Sequence, residues 1–61
     1  MKDKVLQYLM QRGDYVQMYD ISESTGIAIV LLPAILSELE KDDLIESIWT
    51  LERGRFYRYN P

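Results

Sequence analysis

Three arginines, Arg53, Arg55 and Arg58, gather near the C-terminal end of the chain, and two lysines, Lys2 and Lys4, stand at the other end. A guanidinium offers a planar fork of donors that matches a phosphate, and an ammonium offers a compact point charge. Residues of these types at both ends can therefore hold a nucleic-acid backbone. Arg53 and Arg55 flank Gly54. A flexible basic tip of that kind can enter a minor groove or grip phosphates. The alternative is that all three arginines are ordinary solvated strand residues. Tyr57 and Tyr59 alternate with Phe56 and Arg58, so at least one aromatic ring lies outside, where it can stack on an unpaired base. Packing of Tyr57 and Tyr59 into the core is the competing outcome.

Other chemistries find less support. Cys and His are both absent, which excludes disulfides, Cys/His zinc sites, a thiol nucleophile and an imidazole base. Ser22 and Ser24 lack a His partner and nucleophile-elbow glycines, so they read as turn and capping residues. Glu38 and Asp42 lie four apart on one helix face. A calcium ion wants six to eight oxygens and a shaped loop, so these carboxylates read as a solvated face. No catalytic residue, metal ligand or cofactor is assigned, and the chain is expected not to be an enzyme.

The charge of −3 conceals a pattern. Residues 1–12 carry Lys2, Lys4 and Arg12 against Asp3, and residues 51–61 carry Arg53, Arg55 and Arg58 against Glu52. The middle carries Lys41 alone against Asp14, Asp20, Glu23, Glu38, Glu40, Asp42, Asp43 and Glu46. Both ends are basic and the middle is acidic, so phosphate contacts must come from the ends.

Positioning these residues requires a sequence of short elements. Val5, Leu6, Leu9 and Met10 recur at helical spacing over residues 2–12, and Gly13 supplies the stop. Tyr15 and Val16 form a short extended bridge. Residues 18–25 make a second, brief helix with Met18 and Ile21 inward, ended by Gly26. A third helix spans Ala28 to Lys41, with Leu32, Ile35, Leu36 and Leu39 as its apolar stripe. Pro33 sits awkwardly in that span, since a proline beyond the first turn removes a hydrogen bond; the helix either starts later or bends near Ile29. Ile45–Leu51 and Arg55–Asn60 are rich in β-branched and aromatic residues, and Glu52-Arg53-Gly54 joins them as a hairpin. The expected core is Val5, Leu6, Leu9, Ile21, Leu32, Leu36, Leu39, Leu44 and Tyr57.

That order resembles the winged helix-turn-helix family. Val5-Leu6-x-x-Leu9 with Gly13 looks like the first helix and its stop, and Ile21-x-x-x-Thr25-Gly26-Ile27 resembles the helix-turn signature. Leu36-x-x-Leu39-Glu40-x-x-x-Leu44-Ile45 resembles the end of the recognition helix entering the wing, and Arg53-Gly54-Arg55-Phe56-Tyr57-Arg58-Tyr59 looks like a wing tip and return strand. The acidic middle and leucine-rich third helix are also similar to the C-terminal winged helix of DNA-processing protein A. The resemblance implies an α+β fold, three helices followed by a β-hairpin wing, and a DNA-binding transcriptional regulator with duplex DNA as its partner. Lys2, Lys4, Arg53, Arg55 and Arg58 would then be its DNA contacts.

One departure from the family pattern stands out. With Leu32, Ile35, Leu36 and Leu39 inward, the third helix presents Ala28, Ile29, Val30, Leu31, Pro33, Ala34 and Ser37 outward. None of these carries the amide or guanidinium that reads a purine edge. An exposed apolar patch tends to mark a partner site, so Ile29, Val30, Leu31 and Ala34 become candidate contacts for a homodimer or a protein partner. The two functions expected are thus a wing-centred DNA binder and, alternatively, an interaction or dimerisation module. Sixty-one residues make one domain, 1–61, which buries only about 60% of the surface its unfolded chain exposes. No signal-peptide pattern or membrane-length apolar run is visible, giving the expectation of a cytoplasmic protein with no membrane partner. The tripeptide Arg12-Gly13-Asp14, known from cell adhesion, is then a coincidence of the helix stop.

Overall fold

Helix α1, Lys2–Arg12, buries Val5 and Leu9 four residues apart on one face. Asp3 in its first turn and Arg12 in its last suit the helix dipole. These bounds and those of helix α2, Met18–Thr25, agree with the expected ones. The computed structural model describes residues 1–61.

Strand β1, Val16–Gln17, leads directly into α2. Gln17 and Asp20 make a reciprocal capping box there, with the Gln17 N–H donating to Asp20 Oδ2 at 3.4 Å and so using orphan donors of the first turn. At the other end Gly26 adopts φ +75°, and its N–H donates to Ser22 O at 2.9 Å. The Thr25 hydroxyl is buried; it donates to Ile21 O at 2.6 Å and accepts from Ile27 N–H at 3.3 Å. Ser22 Oγ donates to Ile27 O at 2.7 Å. Across this turn the chain bends by 119° between Met18–Thr25 and Ile29–Lys41, the crossing expected of a helix-turn-helix.

The third helix begins later than its pattern suggests. Ile29–Leu31 form a 3₁₀ turn, and α3 proper is Leu32–Lys41. Pro33 therefore sits in the first turn of α3, where its missing N–H has no intrahelical acceptor to lose. Leu32, Leu36 and Leu39 are fully buried. Asp43 then turns the chain with φ +60°, a conformation that Asp tolerates better than most side chains.

Strands β2, Ile45–Thr50, and β3, Gly54–Tyr59, form the hairpin. Each is one residue off the expected span at its C-terminal end, and β3 also starts one residue earlier. The turn is Leu51-Glu52-Arg53, and Gly54 takes φ +79° as the first strand residue. The short bridge pairs as a third strand, giving the antiparallel order β1-β3-β2. Val16 and Ser47 both lie opposite Tyr57, with Val16 on the β1 side and Ser47 on the β2 side.

The core comprises Val5, Leu9, Val16, Ile21, Ile27, Leu32, Leu36, Leu39, Ile45 and Tyr57. Two expected members, Leu6 and Leu44, are only partly buried and pack on its edge. Val16, Ile27 and Ile45 are buried instead: Val16 and Ile45 lie on the sheet face that carries Tyr57, Ile27 is held in the turn by the Thr25 and Ser22 hydroxyls, and Leu44 precedes the strand. No single helix is long and apolar enough to cross a membrane.

Leu36 sits on the middle turn of α3, fully buried in the core. Leu36→Ala should cost about 2–5 kcal/mol, and at roughly 4–8 °C per kcal/mol for so small a domain its thermal midpoint should fall by at least about 8 °C. A melt within a few degrees of the parent would mean that α3 packs in a different register.

Candidate nucleic-acid and partner surfaces

The five basic residues proposed as contacts occupy three different environments. Lys2 Nζ lies 2.9 Å from Glu38 Oε1 and 3.8 Å from Asp42 Oδ2. The solvated i,i+4 carboxylates of α3 thus hold the first lysine of α1, and the hydrogen bond to Glu38 raises the Lys2 pKa above its ordinary value. Lys4 is exposed on α1 and makes no ion pair. Arg58 is half-buried on the outer face of the sheet, paired with Glu46 across the β2–β3 ladder. Its guanidinium stacks 4.7 Å above the Tyr15 ring, and the Tyr15 hydroxyl donates to the same Glu46 oxygen at 3.1 Å. Desolvation, then the bond to Glu46, holds the Tyr15 hydroxyl above the usual phenol range. Arg58, Glu46 and Tyr15 thus form a closed cluster that joins the segment before β1 to the hairpin.

Arg53 and Arg55 differ from Lys2 and Arg58 and share the unpaired condition of Lys4. The Arg53 side chain is exposed and unpaired, and Arg55 makes one contact, Nη1 to the Ser47 hydroxyl at 3.1 Å. That hydroxyl in turn donates to Glu40 Oε2 at 2.8 Å. Neither arginine has a carboxylate within ion-pair distance, whereas Lys2, Arg12 and Arg58 each do.

The wing tip is better held than its glycine suggests. Arg53 N–H donates to Thr50 Oγ1 at 3.1 Å, and that hydroxyl donates to Gly54 O at 3.0 Å. Gln17 Nε2 donates to Arg53 O at 3.0 Å. The residue that caps α2 therefore also anchors the wing, fixing the tip against the helix-turn-helix while leaving the Arg53 side chain free. A shallow hollow lined by Thr50, Leu51, Glu52, Arg53 and Phe56 lies beside it. Sequence reasoning missed Gln17. The only signal was the Gln17-x-x-Asp20 spacing of a capping box, which does not reveal the contact across to residue 53.

On α3 and the turn before it, every residue expected outward is exposed: Ala28, Ile29, Val30, Leu31, Pro33, Ala34 and Ser37. Ile29 is 47% exposed, Val30 79% and Leu31 44%, and Ala34 adjoins them one turn on. Tyr57 is buried in the core and Tyr59 half-buried beside it, while the aromatic ring most open to solvent on the hairpin is Trp49. Trp49 lies opposite Arg55 on the face that also carries Tyr57. No group of three or more Asp or Glu side chains converges in a way that could hold a metal ion.

A three-helix unit followed by a three-stranded antiparallel sheet with a hairpin wing defines this as a winged helix-turn-helix fold. A solved structure, the ferric uptake regulator Fur of Helicobacter pylori, carries the same arrangement with a TM-score of 0.89 at 25% sequence identity over 97% of this chain. The match covers 44% of the Fur chain, so this chain spans less than half of that regulator's length. The Fur structure is described as having three functional metal-binding sites. No protein-family model matches the chain, and no curated protein matches it in sequence.

The arginines of the wing should separate by role. Arg58→Ala loses a partly exposed ion pair and a stacking contact, together about 1 kcal/mol after solvent screening, and should lower the melting midpoint by roughly 4–8 °C. Arg53→Ala should leave it unchanged within about 0.5 kcal/mol. Equal effects of the two changes in a thermal melt would contradict the assignment of Arg58 to structure.

Proposed function

We propose that this chain is a single winged-helix domain, residues 1–61, of the DNA-binding transcriptional-regulator type. It contacts duplex DNA mainly through the wing and performs no catalysis. The observation that carries this reading is the pair of unneutralised guanidinium groups, Arg53 and Arg55, on a tip whose main chain is held in place. A pre-positioned cation loses less freedom on meeting a phosphate than one on a mobile loop. Lys4 supplies a further uncommitted charge from α1. Lys2 and Arg58 contribute by exchanging their carboxylate partners for phosphate, a costlier step that makes them secondary contacts. The fold it shares with Fur, a regulator of ferric uptake, supports the class of function. Metal dependence is not carried over from that protein.

Helix α3 is not the source of sequence recognition in this reading. Apart from the Ser37 hydroxyl, its outward residues offer only apolar groups that suit a thymine methyl, and none carries the amide or guanidinium that bonds a purine edge bidentately. Its C-terminal end and the turn after it carry Glu38, Glu40, Asp42 and Asp43, which repel phosphate. Binding is therefore electrostatic and tolerant of sequence, in the cytoplasm and away from membranes.

A second reading is favoured by one observation, the apolar turn at Ile29, Val30 and Leu31 with Ala34 beside it. These side chains have no core role and form a docking surface for a protein partner. The two readings are compatible, since the wing and the turn use different residues.

Arg53→Ala with Arg55→Ala should weaken duplex binding to a similar degree on unrelated sequences. It should also reduce the slope of log affinity against log salt by about two. Fluorescence anisotropy at several salt concentrations measures both, and a double variant that binds like the parent would remove the wing from the interface. Val30→Asp should keep the parent's stability within about 0.5 kcal/mol and its duplex affinity. Loss of duplex affinity in that variant would place the start of α3 against the phosphates instead.

A further inference from the structure

Strand β2 is the long free edge of the sheet, the other edge being the two-residue β1. In the order β1-β3-β2 it pairs only with β3, and it runs six residues without a proline, a lysine or an arginine. Edge strands of soluble proteins are commonly blunted by such residues, by bulges or by a covering element, because unpaired N–H and C=O groups template another strand. Here the only charge on the strand is Glu46, and Arg58 neutralises it from β3.

The direction of the unpaired groups follows from the ladder. Leu44 O accepts from Asn60 N–H at 3.0 Å just before the strand. Main-chain groups alternate sides along an antiparallel strand, so Glu46, Ile48 and Thr50 face β3. Those of Ile45, Ser47 and Trp49 then face outward. Beside this edge stand two exposed apolar side chains, Ile48 at 42% on the outer face and Trp49 at 62% on the inner face.

We propose that this edge pairs with the β2 edge of a second copy of the chain, antiparallel across a two-fold axis, to form a continuous six-stranded sheet. Self-pairing satisfies the outward groups of both strands at once, as an isologous interface requires. With the axis at Ile48, each Ile48 meets its own counterpart on the outer face, Ser47 lies opposite Trp49 of the partner subunit, and Glu46 lies opposite Thr50 of the partner subunit. No like charges face one another in this register, whereas centring the pair on Glu46 would oppose two carboxylates. The register also brings Trp49 of the partner subunit toward the guanidinium of Arg55, which rests on Ser47. A strand pair with two apolar side chains per copy falls among small interfaces, below about 1,200 Å² in total, that hold transient complexes. Association is therefore concentration-dependent. The Arg53 tip and the turn at Ile29–Leu31 lie outside the seam, and of the wing's two free arginines only Arg55 adjoins it; the pairing does not depend on DNA binding.

Sedimentation equilibrium of the parent chain, from low micromolar to near-millimolar concentration, should show a monomer–dimer equilibrium. Ile48→Lys places two ammonium groups against each other at the axis and should weaken it by at least about tenfold. Val30→Asp should leave it unchanged. Hydrogen exchange supplies a readout independent of any substitution: the Ser47 and Trp49 amides, free in the monomer, should exchange more slowly as the parent's concentration rises. A parent that stays monomeric throughout overturns the proposal. So does an Ile48→Lys variant that folds, by its thermal melt, and still dimerises as the parent does. Dissociation by Val30→Asp, or exchange at Ser47 and Trp49 that ignores concentration, overturns it as well.

Discussion

The hydroxyl of Thr25 is buried, so its donor and acceptor are both used inside the protein. They meet Ile21 O and Ile27 N–H, and the geometry of those two bonds sets how the chain leaves α2. Gly26 provides the left-handed step between them. Everything that follows in the chain inherits the direction chosen here. The 119° bend lays α3 across α1 and α2 so that Leu32, Leu36 and Leu39 meet Val5, Leu9 and Ile21 in one core. The same direction leaves Ile29, Val30 and Leu31 outside the core.

A second constraint ties that helical unit to the wing. Gln17 takes part in the cap of α2 with one end of its side-chain amide and grips the Arg53 carbonyl with the other. Tyr15, two residues earlier, is locked against Arg58 and Glu46. The short segment around β1 thus acts as a bracket between the helices and the hairpin. A hairpin alone is marginally stable in water; held by this bracket and by Tyr57 in the core, its tip can present charge in a defined place.

The distribution of charge follows from these contacts more than from composition. Three of the seven cations are spent on carboxylates brought from distant parts of the chain or from a neighbouring turn. What remains uncommitted lies on the wing, on Lys4 and on Lys41. An acidic protein can thus carry a basic surface, because all but Glu52 of its carboxylates lie outside the last eleven residues and several of them are paired with cations elsewhere. The apolar content is divided in a similar way: the inward stripe closes the core, and the surplus stays outside on the α3 turn and the β2 edge.

Periodicity and glycine placement alone determined α1, α2, the hairpin and most of the core, since Val5, Leu9, Leu32, Leu36 and Leu39 repeat at helical spacing and each turn carries its own stop residue. These signals are local, and local physics decides them. The same spacing over Ala28–Lys41 could not separate a 3₁₀ turn from the helix it precedes, because Ile29, Val30 and Leu31 fit either. The candidate site was legible only as a list of cations. Which of them are free was decided by contacts such as Lys2 with Glu38, 36 residues apart, and Gln17 with Arg53, which no spacing in the chain encodes. Val16 and Ile45 likewise became core residues only when β1 and β2 closed on β3. Side chains distant in sequence meet because the core fixes where each element lies, so the pattern of residues settles the elements and the tertiary structure settles which charges remain to act.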